Sequence, residues 1–362
     1  MKLLPLRHKV VLISRQSDTP SLDFFMLAEE LRRRDPHLEI AVVCRSLGDG
    51  FADQLAYVPM VLTQMYHLAS SRVCIIDGYV IPVSVLRHRQ ELTVIQLWHA
   101  LGAIKKFGYQ CLDTPAGRPS RLARAMHMHA NYDFVTCGGP DAVPVFAEAF
   151  DVGREKVLPL GLPRIDYLLE RAGHPGEVDV SGPLADLMAQ HPDLLSGRKE
   201  RILYAPTFRK GHATSLQALA GHFDSERFLL IAKLHDLERG IVEHEHVVDA
   251  TGISVLDLLP LCDVVITDYS AVAFEGYALG KPVYYYVYDI DEYSVGCGLN
   301  IDPLRDAPRV SSTDIDEIAR WIDRGEYDEE TASTFKSRYL PSPLPGSTAR
   351  IAELVFEHVG TR

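Results

Sequence analysis

The chain has 362 residues, 47% hydrophobic and 24% charged, with a formal net charge of -12. That length exceeds what one hydrophobic core usually supports, so two domains are expected. The acidic balance argues against general nucleic-acid binding while leaving room for a local basic patch, and no apolar run is long enough to span a membrane.

The amino terminus MKLLPLRHKV lacks a signal-peptide apolar region followed by a cleavage site. Strand-like runs then alternate with helix-like segments. KVVLISR (9–15), EIAVVCR (39–45), VCIIDGY (73–79), TVIQLWH (93–99), DFVTCGG (133–139) and KVLPLGLP (156–163) form the first series. Between its first two members, SLDFFMLAEELRRR reads as an amphipathic helix, with Ser21 as cap, Asp23 in the first turn and Arg32 to Arg34 in the last. Residues 171–200 are polar apart from one short helix-like piece and contain Gly and Pro, so they are the expected linker. A second series follows: RILYAPTFR (201–209), FLLIAKLH (228–235), HVVDA (246–250), VVITDYS (264–270) and PVYYYVYD (282–289). The tail STARIAELVFEHV (347–359) is one more amphipathic helix.

Two such blocks predict an α/β protein of two doubly wound parallel-sheet domains, over 1–170 and 201–340. A carboxy-terminal helical segment over 341–362 could pack back on the first domain. Ligands in these folds bind beyond the carboxyl ends of the strands, so a cleft between facing domains is the expected site. The six cysteines, Cys44, Cys74, Cys111, Cys137, Cys262 and Cys297, show no CxxC pairing. Cys44, Cys74, Cys137 and Cys262 lie in or beside apolar runs, which fits reduced, buried thiols of a cytosolic protein.

Residues 263–289 are the most informative stretch. An apolar run ends at Asp268 and Ser270, a helix-like segment opens at once, and Gly280, Lys281 and Pro282 close it. Free backbone N–H groups and the positive end of the helix dipole would attract an anion there. Other strand ends carry His99, followed by Lys105 and Lys106; His235, beside Lys233; and Thr207, Arg209 and Lys210. Together these would surround a pyrophosphate. An isolated strand-end histidine is more often a satisfied, half-buried imidazole, but two of them beside lysines weigh against that reading. RPSRLARAMHMH (118–129) carries Arg118, Arg121 and Arg124 without an acid; on a helix these arginines share one side. It reads either as a solvated basic face or as a contact for anionic lipid headgroups or a phosphate-rich acceptor. His127 with His129, and His244 with His246, could ligate a metal, yet isolated pairs of this kind are more often solvated surface, and no metal site is expected.

The motifs WHALGAIKKFG (98–108), GLPRIDYL (161–168), LYAPTFR (203–209), ITDYSAVAFE (266–275), GKPVYYYVYDIDEY (280–293) and GSTARI (346–351) resemble, in the same order, those of the CDP-glycerol glycerophosphotransferase family. These are the teichoic-acid primases and polymerases, with relatives that use CDP-ribitol. The resemblance covers nearly the whole chain. It implies a GT-B fold, with the acceptor mainly on the first domain and the nucleotide mainly on the second. It also places the family's essential histidines on His99 and His235, and its phosphate-binding turn on Thr267, Asp268, Tyr269 and Ser270. Thr207 and Arg209 match a further donor-binding motif, Glu275 stands where an aspartate is usual, and Arg350 matches the carboxy-terminal arginine. Departures from the pattern are Ala100 for a glycine, Ala271 for a second serine, and SVGCGLN (294–300) where an Arg-Gly pair is common. The additional amino-terminal region of the large polymerases has no counterpart, which favours a primase-like or single-addition enzyme.

The chemistry this implies is attack of an acceptor hydroxyl on the β-phosphorus of CDP-glycerol or CDP-ribitol, with CMP leaving. His99 would act as general base, while His235, Arg209, Ser270 and the helix start would stabilise phosphoryl charge. Lys105, Lys106, Arg118, Arg121 and Arg124 are assigned to the acceptor or membrane side. No cofactor is required. The acceptor would be a lipid-linked wall or capsule glycan or a polyol phosphate, reached from the cytoplasm at the inner membrane face. Two alternatives share the fold logic: a GT-B glycosyltransferase using a UDP- or GDP-sugar, and a non-catalytic nucleotide- or polymer-binding member. The choice of polyol, the acceptor and the oligomeric state stay open.

Overall fold

A computed structural model describes residues 4–46, 50, 56–173, 182–209, 216–235, 246–296 and 298–360, without the side chains of Gln217 and Ala218. The chain divides into two compact units. The first comprises Met1–Gly102, Lys106–Asp166 and Tyr339–Arg362, and the second Ala103–Lys105 and Tyr167–Arg338.

The first unit is built on a six-stranded sheet: β1 (Lys9–Ser14), β2 (Glu39–Cys44), β3 (Val73–Ile76), β4 (Thr93–Gln96), β5 (Phe134–Thr136) and β6 (Val157–Leu158). Its order is β2-β1-β3-β4-β5-β6, and the pairings are parallel. All six residues of β1 and all four of β3 are buried, as expected for central strands covered on both faces by crossover helices. The chain winds to one side from β1 to β2 and then returns to place β3 on the other. That reversal opens a crevice beyond the carboxyl ends of β1 and β3.

The helix Leu22–Arg34 is capped by Ser21, whose side chain accepts from the Phe24 N–H. Asp23 does more than complement the dipole. It is 2% exposed, and its carboxylate takes hydrogen bonds from the Arg164 backbone N–H at 2.8 Å and Arg164 Nε at 2.9 Å. The helix Ser347–Val359 belongs to this unit and packs on the helix Leu22–Arg34. Asp166 caps it, accepting from the backbone N–H groups of Gly346 at 2.6 Å and Thr348 at 2.8 Å and from the Thr348 hydroxyl at 2.7 Å.

The second unit repeats the plan with β7 (Glu200–Tyr204), β8 (Phe228–Ala232), β9 (Val247–Asp249), β10 (Val264–Thr267), β11 (Val283–Tyr286) and β12 (Ser311–Ser312). The order is β12-β11-β10-β7-β8-β9, again parallel. Its reversal lies between β7 and β10. The two-residue β12 had no sequence signal, because two serines carry neither apolar period nor β propensity. Within 182–200, the helices Pro183–Gln190 and Asp193–Ser196 bury Leu184, Leu187, Met188 and Leu194, and these residues cluster with the second unit. Cys44, Cys74, Cys137 and Cys262 are free thiols, the last three buried. Among the described residues, no helix is long and apolar enough to cross a membrane.

Candidate functional site

In the first unit, three chain segments leave the carboxyl ends of adjacent strands: Gln16 just beyond β1, Asp77 and Gly78 beyond β3, and Trp98 with His99 beyond β4. The His99 ring reaches solvent, while its Nδ1 lies 3.0 Å from the Asp77 carbonyl oxygen. A carbonyl can only accept, so Nδ1 carries the proton and Nε2 is left with its lone pair. Enough protein surrounds the ring to hold its pKa below the ordinary histidine value; burial is the main cause, the Asp77 carbonyl opposes it, and the Arg164 charge reinforces it. The imidazole is therefore neutral and poised to accept a proton at Nε2.

Trp98 fixes the other side of His99. Its φ of 59° is left-handed, an uncommon conformation for a bulky residue. The indole lies on the imidazole at 4.0 Å between centroids and is stacked on Phe107 at 5.0 Å. Asp77 is 3% exposed, and burial raises its carboxyl to about pH 6 against the pull of a Ser14 hydrogen bond. Sequence reasoning passed over Asp77, although it ends the strand run VCIID much as Asp268 ends VVITD.

In the second unit the candidates again lie beyond central strands: Thr207 and Arg209 after β7, His235 after β8, Asp268 and Ser270 after β10, and Asp289 after β11. Asp268, 2% exposed, organises the turn. It accepts from the Thr207 N–H at 2.9 Å, the Tyr269 N–H at 2.5 Å and Arg209 Nη1 at 2.7 Å. Arg209 gives Nε and Nη2 to Asp289 at 2.5 and 3.0 Å, and Nη1 also to the Thr207 carbonyl at 2.7 Å. Its guanidinium lies over the rings of Tyr269, Tyr288 and Tyr293 at 5.2–5.6 Å. Burial works against its charge, but hydrogen bonding to Asp289 and the charge of Asp268 more than offset that, raising its pKa.

This geometry corrects several expectations. Arg209 was expected to contact phosphate; four of its N–H groups are engaged within the turn, which it braces. The Thr267 hydroxyl is fully buried and donates to the Ala205 carbonyl at 2.8 Å, so it joins two strand ends and faces no ligand. Glu275 is 3% exposed on a helix, Val272–Ala278, of which every residue is buried. That helix has seven residues and begins after Ala271, shorter and later than the sequence implied. Ser270 is half-buried, and its hydroxyl accepts from the Val272 N–H at 3.4 Å. Arg350 belongs to the first unit and spends its donors on the carbonyls of Leu160 at 3.1 Å and Pro345 at 2.8 Å and on the Ser347 hydroxyl at 2.9 Å. These bonds brace the start of the carboxy-terminal helix.

Lys105 was assigned to the acceptor side with Lys106, but it belongs to the second unit. It pairs with Leu299 in an antiparallel bridge, and its carbonyl accepts from Asn300 Nδ2 at 3.1 Å. Burial lowers its pKa, the Asp268 charge opposes that, and Arg209 reinforces it, so its ammonium lies in the field of the turn. Lys106 is exposed in the first unit. His235 is exposed, with the Phe208 ring at 4.7 Å. Lys210 and His244 lie outside the described residues.

The basic segment of the first unit is helical only over Ser120–Ala125. Arg118, Arg121, Arg124 and His127 are exposed, as is Leu122 at 49%. Arg118 lies over the Tyr79 ring at 5.8 Å. His129 departs from the surface reading of the histidine pair: it is 5% exposed, ringed by Tyr79, Trp98, Tyr109, Tyr132 and Phe150, and burial pushes its pKa down to about 3. Among the described residues no group of His, Cys, Asp and Glu is arranged to hold a metal ion.

Comparison with known proteins gives the family and the fold. The family described as CDP-glycerol:poly(glycerophosphate) glycerophosphotransferase matches residues 2–357. A teichoic acid ribitol-phosphate primase of Bacillus spizizenii is 33% identical over 98% of this chain and 92% of its own length. A teichoic acid glycerol-phosphate primase of Bacillus subtilis is 30% identical over 65% of this chain and 60% of its own. Among solved structures, the wall teichoic acid polymerase TagF superposes with a TM-score of 0.73 at 19% identity, covering 98% of this chain and 90% of that one, which establishes the GT-B fold.

Proposed function

Because the chain belongs to the CDP-glycerol:poly(glycerophosphate) glycerophosphotransferase family and is a polyol-phosphate transferase, we propose a mechanism in which His99 is the general base. The observation that carries this reading is the Nδ1 contact to the Asp77 carbonyl at 3.0 Å, which leaves Nε2 as acceptor. An acceptor hydroxyl gives its proton to Nε2 as its oxygen attacks the β-phosphorus of the CDP-polyol. The bond from that phosphorus to the bridging oxygen breaks, and CMP departs. A positioned base contributes about 10²–10⁴-fold. The rest of the acceleration comes from alignment and from charge stabilisation on the phosphoryl oxygens.

In this reading the second unit handles the donor. Asp268, Asp289 and Arg209 hold the turn rigid, which frees Ser270 and the neighbouring backbone to meet phosphate. Lys105 supplies positive charge, because its ammonium already lies in the field of Asp268 and Arg209, and His235 offers a ring N–H to the phosphoryl oxygens. The polyol is glycerol or ribitol, and the likeness to primases over most of their length supports addition of a first unit to a lipid-linked glycan. The exposed Arg118, Arg121 and Arg124, with Leu122 among them, suit an anionic membrane surface or a phosphate-bearing acceptor. Work at the cytoplasmic membrane face follows from that acceptor.

Incubation with a panel of CDP-glycerol, CDP-ribitol, UDP-sugars and GDP-sugars, each with a lipid-linked disaccharide, tests the reading. CMP release with one CDP-polyol is expected. Release of UDP or GDP would instead favour a glycosyltransferase.

A further inference from the structure

We infer that Gln96, which belongs to none of the family motifs, is a positioning residue that sets the His99 imidazole through two hydrogen bonds of its side-chain amide. The inference rests on His99 being the base. Gln96 is the last residue of β4 and has no solvent exposure. Its Nε2 donates to the Gly78 carbonyl at 3.1 Å, and its Oε1 accepts from the Trp98 N–H at 2.9 Å. Exchanging the amide oxygen and nitrogen would set acceptor against acceptor and donor against donor, so this orientation is the one the partners allow.

Each contact controls one side of the base. Gly78 follows Asp77, whose carbonyl receives the His99 Nδ1–H at 3.0 Å. Trp98 precedes His99, has the left-handed φ of 59°, and lies on the imidazole at 4.0 Å. One amide therefore ties together the carbonyl that selects the tautomer and the strained peptide that aims the ring. The sheet does not depend on it. The β4 strand is already held by its ladder to β3 and β5, by the Leu97 N–H on the Ile76 carbonyl at 2.7 Å, and by the Thr136 hydroxyl on the Leu97 carbonyl at 2.9 Å. Any residue of similar size would fill the space; only an amide supplies a donor and an acceptor at once.

Two variants test the assignment. Gln96→Met keeps the length and removes both hydrogen bonds, together with the one the amide shares with the Tyr132 side chain. Gln96→Glu keeps the acceptor for Trp98 and can donate to Gly78 only while protonated, which burial favours at low pH. For Gln96→Met, kcat falls about 10–100-fold with the donor KM within about twofold, since a misplaced group loses rate more than binding. For Gln96→Glu, kcat approaches wild type in mild acid and falls at least roughly tenfold behind it in mild alkali, as deprotonation removes the donor. In parallel, ¹⁵N spectra of the histidine rings report the His99 tautomer: Nδ1-protonated in wild type, mixed in Gln96→Met. A Gln96→Met enzyme with kcat within about twofold of wild type overturns the inference. So does a Gln96→Glu rate whose ratio to wild type is flat across pH, or one that falls only in step with loss of folded protein by circular dichroism. If Gln96→Met does not fold, the pH profile of Gln96→Glu decides. Should wild type release no CMP, the transferase reading fails, while the ring tautomer still decides whether Gln96 holds the imidazole.

Discussion

Asp77 offers the most quantitative test. Its carboxyl is raised from 3.8 to about 6, chiefly because burial disfavours the charge; the Ser14 hydrogen bond opposes this, the Asp23 charge adds to it and Arg164 relieves it. Cys44, half-buried nearby, feels the same carboxylate, and Asp77 Oδ1 is buried with no hydrogen-bond partner. A folded-state pKa above the unfolded one means the native protein holds a proton that the unfolded chain has released. Stability therefore declines as pH climbs from about 3.8 to about 6, and the full penalty stands above that range. At about 1.4 kcal/mol per pKa unit, two units amount to ~3 kcal/mol. Asp77→Asn cannot ionise. Urea unfolding of both proteins below about pH 3.8, at about pH 3, and at neutral pH should show the variant gaining ~3 kcal/mol relative to wild type on going to neutral pH. Any fixed cost of the new amide cancels in that difference. An offset that changes by less than about 0.5 kcal/mol between the two pH values would refute the reasoning. A carboxyl kept at such a cost one strand from the base has the signature of a functional site.

Further expectations concern the reaction and the turn. His99→Ala should cut turnover by at least about a hundredfold while donor affinity, measured by calorimetry, stays near wild type. Because the His99 pKa is lowered, its basic form persists into acid, so the acid limb of kcat/KM should lie below the ordinary histidine value of about 6.5; a limb above it would exclude His99 as the titrating base. Arg209→Met leaves Asp268 and Asp289 facing each other without their cation and should cost about 3–5 kcal/mol in chemical denaturation. Ser270→Ala should weaken donor binding by roughly tenfold, about the worth of one hydrogen bond to a charged group, with kcat at saturating donor little changed.

The legible part of this molecule was its architecture. Apolar runs bounded by turn residues marked eleven of the strands, because central parallel strands are buried on both faces and leave continuous β-branched stretches. Strand ends then marked His99, Arg209, Asp268 and Ser270 as worth attention, since that is where open α/β sheets hold ligands. What the sequence could not separate was a side chain aimed at a ligand from one aimed at its neighbour. Arg209, Thr267 and Arg350 carry the residue types of a phosphate site, yet their partners are Asp289, Ala205 and Leu160, each at least 60 residues away in sequence. Lys105 falls in a different unit from His99 for a related reason. It is six residues from His99, but the chain passes into the second unit at Ala103 and leaves it after Lys105. Gln96 and Asp77 were passed over because a buried amide and a buried acid at strand ends announce themselves only through the geometry around them.

The most direct measurement is mass spectrometry of a synthetic lipid-linked disaccharide after incubation with CDP-glycerol or CDP-ribitol, run beside the His99→Ala variant. Wild type should add one polyol-phosphate and release one CMP per product, and the variant should leave the acceptor nearly unchanged. An acceptor unmodified by wild type with either donor, or modified equally by both proteins, would contradict this mechanism.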